Sequence, residues 1–145
     1  MRKLHLGPGL GELDDGTDPA MSVGVATERA TGTDLRLSGL VHPDGTPVEQ
    51  ARHVFETVAD VVVNDLGGAT GDVTMLRFYV RSDRLTDALR RELHAVRREF
   101  FDAPEFPAAT MVGVDELVHD DAAVEIEAAA FVPDGEWTVE TVRPD

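Results

Sequence analysis

Cysteine is absent from the chain. That excludes a disulfide framework, a thiolate metal site and a cysteine nucleophile. Lysine is almost absent: Lys3 is the only one among 13 basic residues, and the rest are arginine. No apolar run approaches the ~20 residues of a membrane span. Arg2 and Lys3 look like the start of a secretory leader, but Gly7, Pro8, Gly9 and Glu12 interrupt the apolar stretch that a leader needs. A cytoplasmic protein without membrane contacts is the expectation. The five histidines (His5, His42, His53, His94 and His119) lie too far apart for an HExxH or any other short metal spacing, so no metal site is expected. Ser22, Ser38 and Ser82 lack the G-x-S-x-G context of a nucleophile elbow. Gly7-Pro8-Gly9-Leu10-Gly11 lacks the P-loop lysine and reads as a plain loop.

Positive charge is also scarce. The 28 acids against 13 bases leave a formal net charge of −15 over 145 residues. Such a surface repels phosphate backbones and anionic membranes, so nucleic acid is not an expected partner. The acids are scattered among hydrophobic periodicity, which argues for a folded domain rather than an acidic tail. A halophilic source explains the excess, with surface carboxylates holding solubility and counterions screening their repulsion. An acidic protein from a high-GC source would favour arginine over lysine equally well. The length suits one domain spanning 1–145, with 1–19 as an N-terminal strand and loop and 133–145 as a tail.

Arg2 to Leu6 alternates like a short strand, and Gly7 to Asp18 reads as a loop. Met21 to Thr27 and Leu35 to Val41 read as strands joined by a turn at Gly32, Thr33 and Asp34. After the turn Pro43–Thr46, apolar residues from Val48 to Leu66 recur at helical spacing, and Gly67 and Gly68 sit where a C-cap belongs. Asp72 to Val80 is a strand apolar on both faces: Leu76, Phe78 and Val80 on one, Val73, Met75 and Tyr79 on the other. A second helix is expected from about Asp83 to Phe100, with the stripe Leu85, Leu89, Leu93, Val96 and Phe100 and an Asp87–Arg91 pair. Its arginines (Arg84, Arg90, Arg91, Arg97, Arg98) read as a solvated face. Ala109 to Val114 and Ala123 to Phe131 are two further strands, and Trp137 to Val142 is a short strand or an ordered tail.

This order predicts an α+β layer, two helices covering one face of a mixed sheet. The other face, with Met75, Tyr79, Met111 and Phe131, is too apolar for water. A second copy of the chain is its natural cover, so a homo-oligomer is expected. Glu125 and Glu127 lie mid-strand on that face. Covered, such a carboxylate would be desolvated, raised in pKa and suited to general acid–base work; uncovered, the two are ordinary exposed acids.

Several segments, taken in order, resemble the Rid (YjgF/YER057c/UK114) family over roughly residues 20 to 132. They are Leu35-Arg36-Leu37-Ser38-Gly39, Gln50-Ala51, Leu66-Gly67-Gly68, Phe100-Phe101, Phe106-Pro107-Ala108-Ala109-Thr110-Met111-Val112-Gly113-Val114 and Val124-Glu125-Ile126-Glu127-Ala128. The resemblance implies a chorismate-mutase-like protomer, a homotrimeric barrel, and small-molecule clefts between subunits. It also implies an activity: the best-known members deaminate enamines and imines without metal or cofactor. Carried over residue by residue, the cleft Ser-Gly is Ser38-Gly39, the water-positioning glutamate is Glu125, and the cleft tyrosine falls near Met21. Thr110 and Met111 would line the same cleft. The arginine that grips the substrate carboxylate falls at Ala109, so the chain resembles an arginine-less branch. Two readings follow: a cofactor-free imine or enamine deaminase or related hydrolase, and a trimeric module that binds a metabolite or regulates without turnover. Ribonuclease activity has also been attached to the family; the charge and the lack of a histidine acid–base pair argue against it here.

Overall fold

The computed structural model describes residues 1–11 and 13–145; Glu12, one of the polar residues that break the N-terminal apolar stretch, lies outside the described residues. Among the described residues six strands form one mixed sheet in the order β1-β2-β3-β6-β4-β5. They are β1 (Lys3–Leu6), β2 (Gly24–Arg29), β3 (Gly32–Leu40), β4 (Val73–Arg81), β5 (Ala108–Val114) and β6 (Val124–Pro133). Only β4 and β5 run parallel, because helix α2 (Asp87–Phe100) carries the chain back between them. Helices α1 (Pro47–Asp60) and α2 cover one face of the sheet. The expected α+β layer and chorismate-mutase-like protomer are what the chain adopts.

Local chemistry explains most element ends. Thr46 caps α1 through a reciprocal box: its hydroxyl accepts from Glu49 N at 3.2 Å, and the Glu49 carboxylate accepts from Thr46 N at 2.8 Å. Past Asp60 the helix widens into a π-turn (Val61–Asp65), where Leu66 N donates to Val61 O, and it ends at Gly67 with φ +70°. The helical spacing from Val48 to Leu66 is therefore realised as an α-helix with a π-helical last turn. Helix α2 begins at Asp87 rather than Asp83, because Thr86 takes the N-cap and its hydroxyl accepts from Leu89 N at 3.0 Å. Asp87 pairs with Arg90, not Arg91.

Strand ends differ from the sequence reading for steric reasons. The β2–β3 turn falls at Ala30 and Thr31, since Arg29 already pairs with Gly32. Gly32 is not a turn glycine: a Cβ there would lie 2.4 Å from Val132 O and 2.6 Å from the Phe131 ring, so it marks a close strand approach. Met21 precedes β2, which starts at Gly24. In β4 a register shift between Val73 and Met75 turns Val73 to the helix face, against its expected place opposite. Trp137 to Val142 forms no strand, and the Trp137 indole donates to Asp72 Oδ1 at 2.7 Å.

Apolar side chains of both layers meet between helices and sheet. Phe55 of α1 sits at the centre, with ring centroids of Phe78, Phe100 and Phe101 at 5.9, 5.5 and 6.0 Å. Gln50 is the one buried amide in that layer, and it is fully used. Its NH2 donates to Pro43 O, Gly45 O and Asp121 O at 3.3, 3.2 and 3.2 Å, while its carbonyl accepts from Ala123 N at 2.8 Å. The Gln50-Ala51 pair thus ties the start of α1 to the start of β6.

Candidate functional site

Rows of paired residues across the sheet locate each candidate. Ala109 pairs with Leu76, which pairs with Ala128 and so with Leu37. The next row runs Thr110–Arg77–Glu127, and the one after it Met111–Phe78–Ile126–Leu40. Side chains alternate along strands. Ala109 and Met111 therefore face the helices, whereas Thr110, Glu127 and Glu125 face the uncovered side. Met111 was expected on the uncovered face; pairing with buried Phe78 puts it against the core instead.

Between Leu37 and Leu40 the β3–β6 register shifts, so Ser38 and Gly39 together oppose Glu127. The bulge pushes this backbone toward its neighbour on the uncovered face. A Cβ on Gly39 would lie 2.8 Å from the Glu125 carboxyl carbon and 2.9 Å from Oε1. Only glycine leaves room for the Glu125 carboxylate where it stands. Ser38 is held in place by donating Oγ–H to Ser22 O at 2.7 Å. A cavity of about 800 Å³ opens beside the bulge, between Ser38, Gly39, Leu40 and an N-terminal loop that contributes Leu10, Leu13 and Met21.

Ser38, Gly39, Met21 and Glu125 thus share one region. Thr110 lies on the same face two strands away, and Ala109 and Met111 lie on the opposite face of the same protomer. Beside Glu125 the uncovered face holds a polar cluster that single-residue reading did not single out. Tyr79 donates its hydroxyl to Glu127 Oε1, and Arg77 Nη1 stands 3.9 Å from the same oxygen. The hydrogen bond to Glu127, and then burial, push the Tyr79 phenol above its ordinary pKa. Period-two alternation already put Tyr79 and Glu127 on this face; their pairing needed the β4–β6 register.

One further side chain departs from the sequence reading. Arg97 is not on a solvated face: its guanidinium carbon sits 4.2 Å from the centroid of the buried Phe78 ring, and burial lowers its pKa. His42 and His53 stack with ring centroids 4.1 Å apart. Among the described residues no three His, Asp or Glu side chains gather at a metal-binding geometry, and no helix is long and apolar enough to cross a membrane.

Comparison with known proteins agrees with this architecture. No curated protein matches the chain in sequence. A member of the YjgF/YER057c/UK114 family from Mycobacterium tuberculosis is similar in structure, with TM-score 0.70, 24% identity, and coverage of 90% of this chain and 100% of that one. A YjgF family member from Neisseria meningitidis gives 0.71 and 24%, covering 93% and 98%. A protein of unknown function from Pseudomonas aeruginosa gives 0.69 and 26%, covering 90% and 93%. Residues 30–132 match the family model described as Endoribonuclease L-PSP, and the chain belongs to that family.

Proposed function

We propose that the chain is a cofactor-free hydrolase of small imines or enamines that works as a homotrimer, with the uncovered sheet face packed against its copies. The carrying observation is the Gly39 bulge pressed against Glu125: the fold clears a place for one carboxylate on the uncovered sheet face. In a trimer that face loses water, and a desolvated carboxylate is fitted to take a proton from an attacking water. The water oxygen bonds to the imine carbon, the C–N bond breaks, and nitrogen leaves as ammonia with the protons supplied by water. Ser38, Gly39 and Met21 line one wall of the cleft. Thr110, Ala109 and Met111 sit elsewhere on the protomer, and a neighbouring subunit would bring their copies to it.

Ala109 limits the substrate. It offers none of the parallel hydrogen bonds by which arginine grips a carboxylate, so the chain stands in an arginine-less branch and turnover of 2-imino acids through that position is weak. The same alanine favours a second reading, a trimer that binds a metabolite without turnover. The family's endoribonuclease label is a poorer guide here, because −15 per chain opposes RNA.

The test generates 2-aminoacrylate and a bulkier imine in situ in high salt, with and without protein, and follows the carbonyl product. Acceleration that falls at least about tenfold in Glu125→Gln, with unchanged circular dichroism, supports catalysis. No acceleration of any imine rejects it in favour of the binding module.

A further inference from the structure

The segment after β6 is tied back to the sheet by one side chain. Trp137, the only tryptophan of the chain, donates its indole N–H to Asp72 Oδ1 at 2.7 Å, and its ring centroid lies 5.7 Å from that of Phe131. Asp72 is a buried carboxylate whose other oxygen accepts from Ala69 N at 2.8 Å. The indole is thus fixed by a buried acid and a neighbouring ring, yet it stays 48% exposed.

A cavity of about 360 Å³ opens beside it, between this segment, the start of β4 and the loop before β5. Trp137 and Phe106 supply aromatic walls, and Asp72, Glu105 and Glu140 supply carboxylates. Among the described residues no Arg, Lys or His lines it. Its size is at the small end of small-molecule sites, which span about 300–1,000 Å³. Phe106 is 51% exposed, so both rings can be reached from solvent. Two large rings left half-exposed at one cavity mark a surface that a ligand would cover.

The charge around those rings is of one sign. Neither Glu105 nor Glu140 enters an ion pair among the described residues. Gly71 leaves room for the first of them: a Cβ there would lie 3.0 Å from Glu105 Oε1 and 3.1 Å from its carboxyl carbon. Like charges gathered without a counter-charge repel, and a bound cation relieves them. The face of an aromatic ring attracts a cation as well, and the carboxylate behind the indole N–H adds to that potential. An anion is opposed by both features, and a hydrated metal ion gains little from the rings.

We propose that this cavity binds a small organic ammonium ion, with Trp137 and Phe106 against its alkyl groups and Glu105 and Glu140 balancing its charge. Neither Glu125 nor the Ser38-Gly39 bulge lines the cavity, so the site does not depend on the hydrolase reading.

Trp137 emission reads the site directly. Tetramethylammonium chloride is titrated against sodium chloride at constant ionic strength, with tert-butanol as the neutral isostere and magnesium chloride as the metal probe. Tetramethylammonium should change the emission saturably and bind at least about tenfold more tightly than tert-butanol. Glu105→Gln combined with Glu140→Gln, at two exposed positions, should weaken that binding about threefold or more, and so should Phe106→Ala, with circular dichroism unchanged. The glutamine pair serves if Phe106→Ala fails to fold. No saturable change, an equal response to tert-butanol, or full binding in either folded variant overturns the proposal. Tighter binding of magnesium than of tetramethylammonium overturns the organic-cation assignment.

Discussion

Replacing Gln50 by leucine keeps the volume of a buried side chain and removes all four of its hydrogen bonds, to Pro43 O, Gly45 O, Asp121 O and from Ala123 N. The groups left behind are not equivalent. Pro43, Gly45 and Asp121 are exposed residues, so water can reach their carbonyls and each lost bond costs about 0.5 kcal/mol, the low end of the usual range. Ala123 is 1% exposed, and its orphaned N–H bears a desolvation cost of about 1–3 kcal/mol. The sum is about 3 kcal/mol, partly offset by the apolar side chain gained. In a domain of this size 1 kcal/mol moves Tm by about 3 °C, so Gln50→Leu should melt about 6–9 °C lower. Differential scanning calorimetry at constant salt measures it, and urea denaturation with an unchanged m-value would show that the folded state was affected. A shift below about 2 °C would refute the reasoning that this amide clamps α1 to β6.

Three other perturbations probe separate parts of the molecule. Gly39→Ala should displace the Glu125 carboxylate, the mobile end of a flexible side chain, and so lower any imine turnover about tenfold or more while moving Tm by only a few degrees; a stability loss with full turnover would contradict the geometry. Glu99 is held below its ordinary pKa by the Arg52 hydrogen bond, then by the Arg52 charge. A depressed carboxylate adds stability that is present above its unfolded pKa and is lost as pH falls through the folded value. Glu99→Gln should therefore flatten the acid side of a Tm-against-pH curve and leave the alkaline side unchanged. Finally, three chains together would carry about −45, so light scattering should show association strengthening from low to molar salt; weaker association at high salt would count against a charge-limited oligomer.

The long periodic segments were legible from sequence because burial on one face imposes a period. The α1 and α2 stripes and the alternation of β6 place their own cores, and Val124, Ile126, Ala128 and Ala130 are all buried as their spacing required. Boundaries were less legible, since they depend on one hydrogen bond. Thr86 capping Leu89 moved the start of α2 by four residues, and nothing in the stripe records that bond. Gly32 shows the limit of reading glycine as a turn: the backbone pressing on it belongs to β6, a hundred residues later.

Sequence by itself determined the fold class, the charge, and, where no bulge intervenes as it does at Val73, which residues within a strand share a face, because composition and periodicity are local properties. Tertiary structure decided the neighbours across strands. Strand order and register put Gly39 against Glu125, separated Ala109 and Met111 from them by the thickness of the sheet, and laid Arg97 over Phe78 beside Ala109. Contacts of that kind join residues distant along the chain, so no window of sequence contains them.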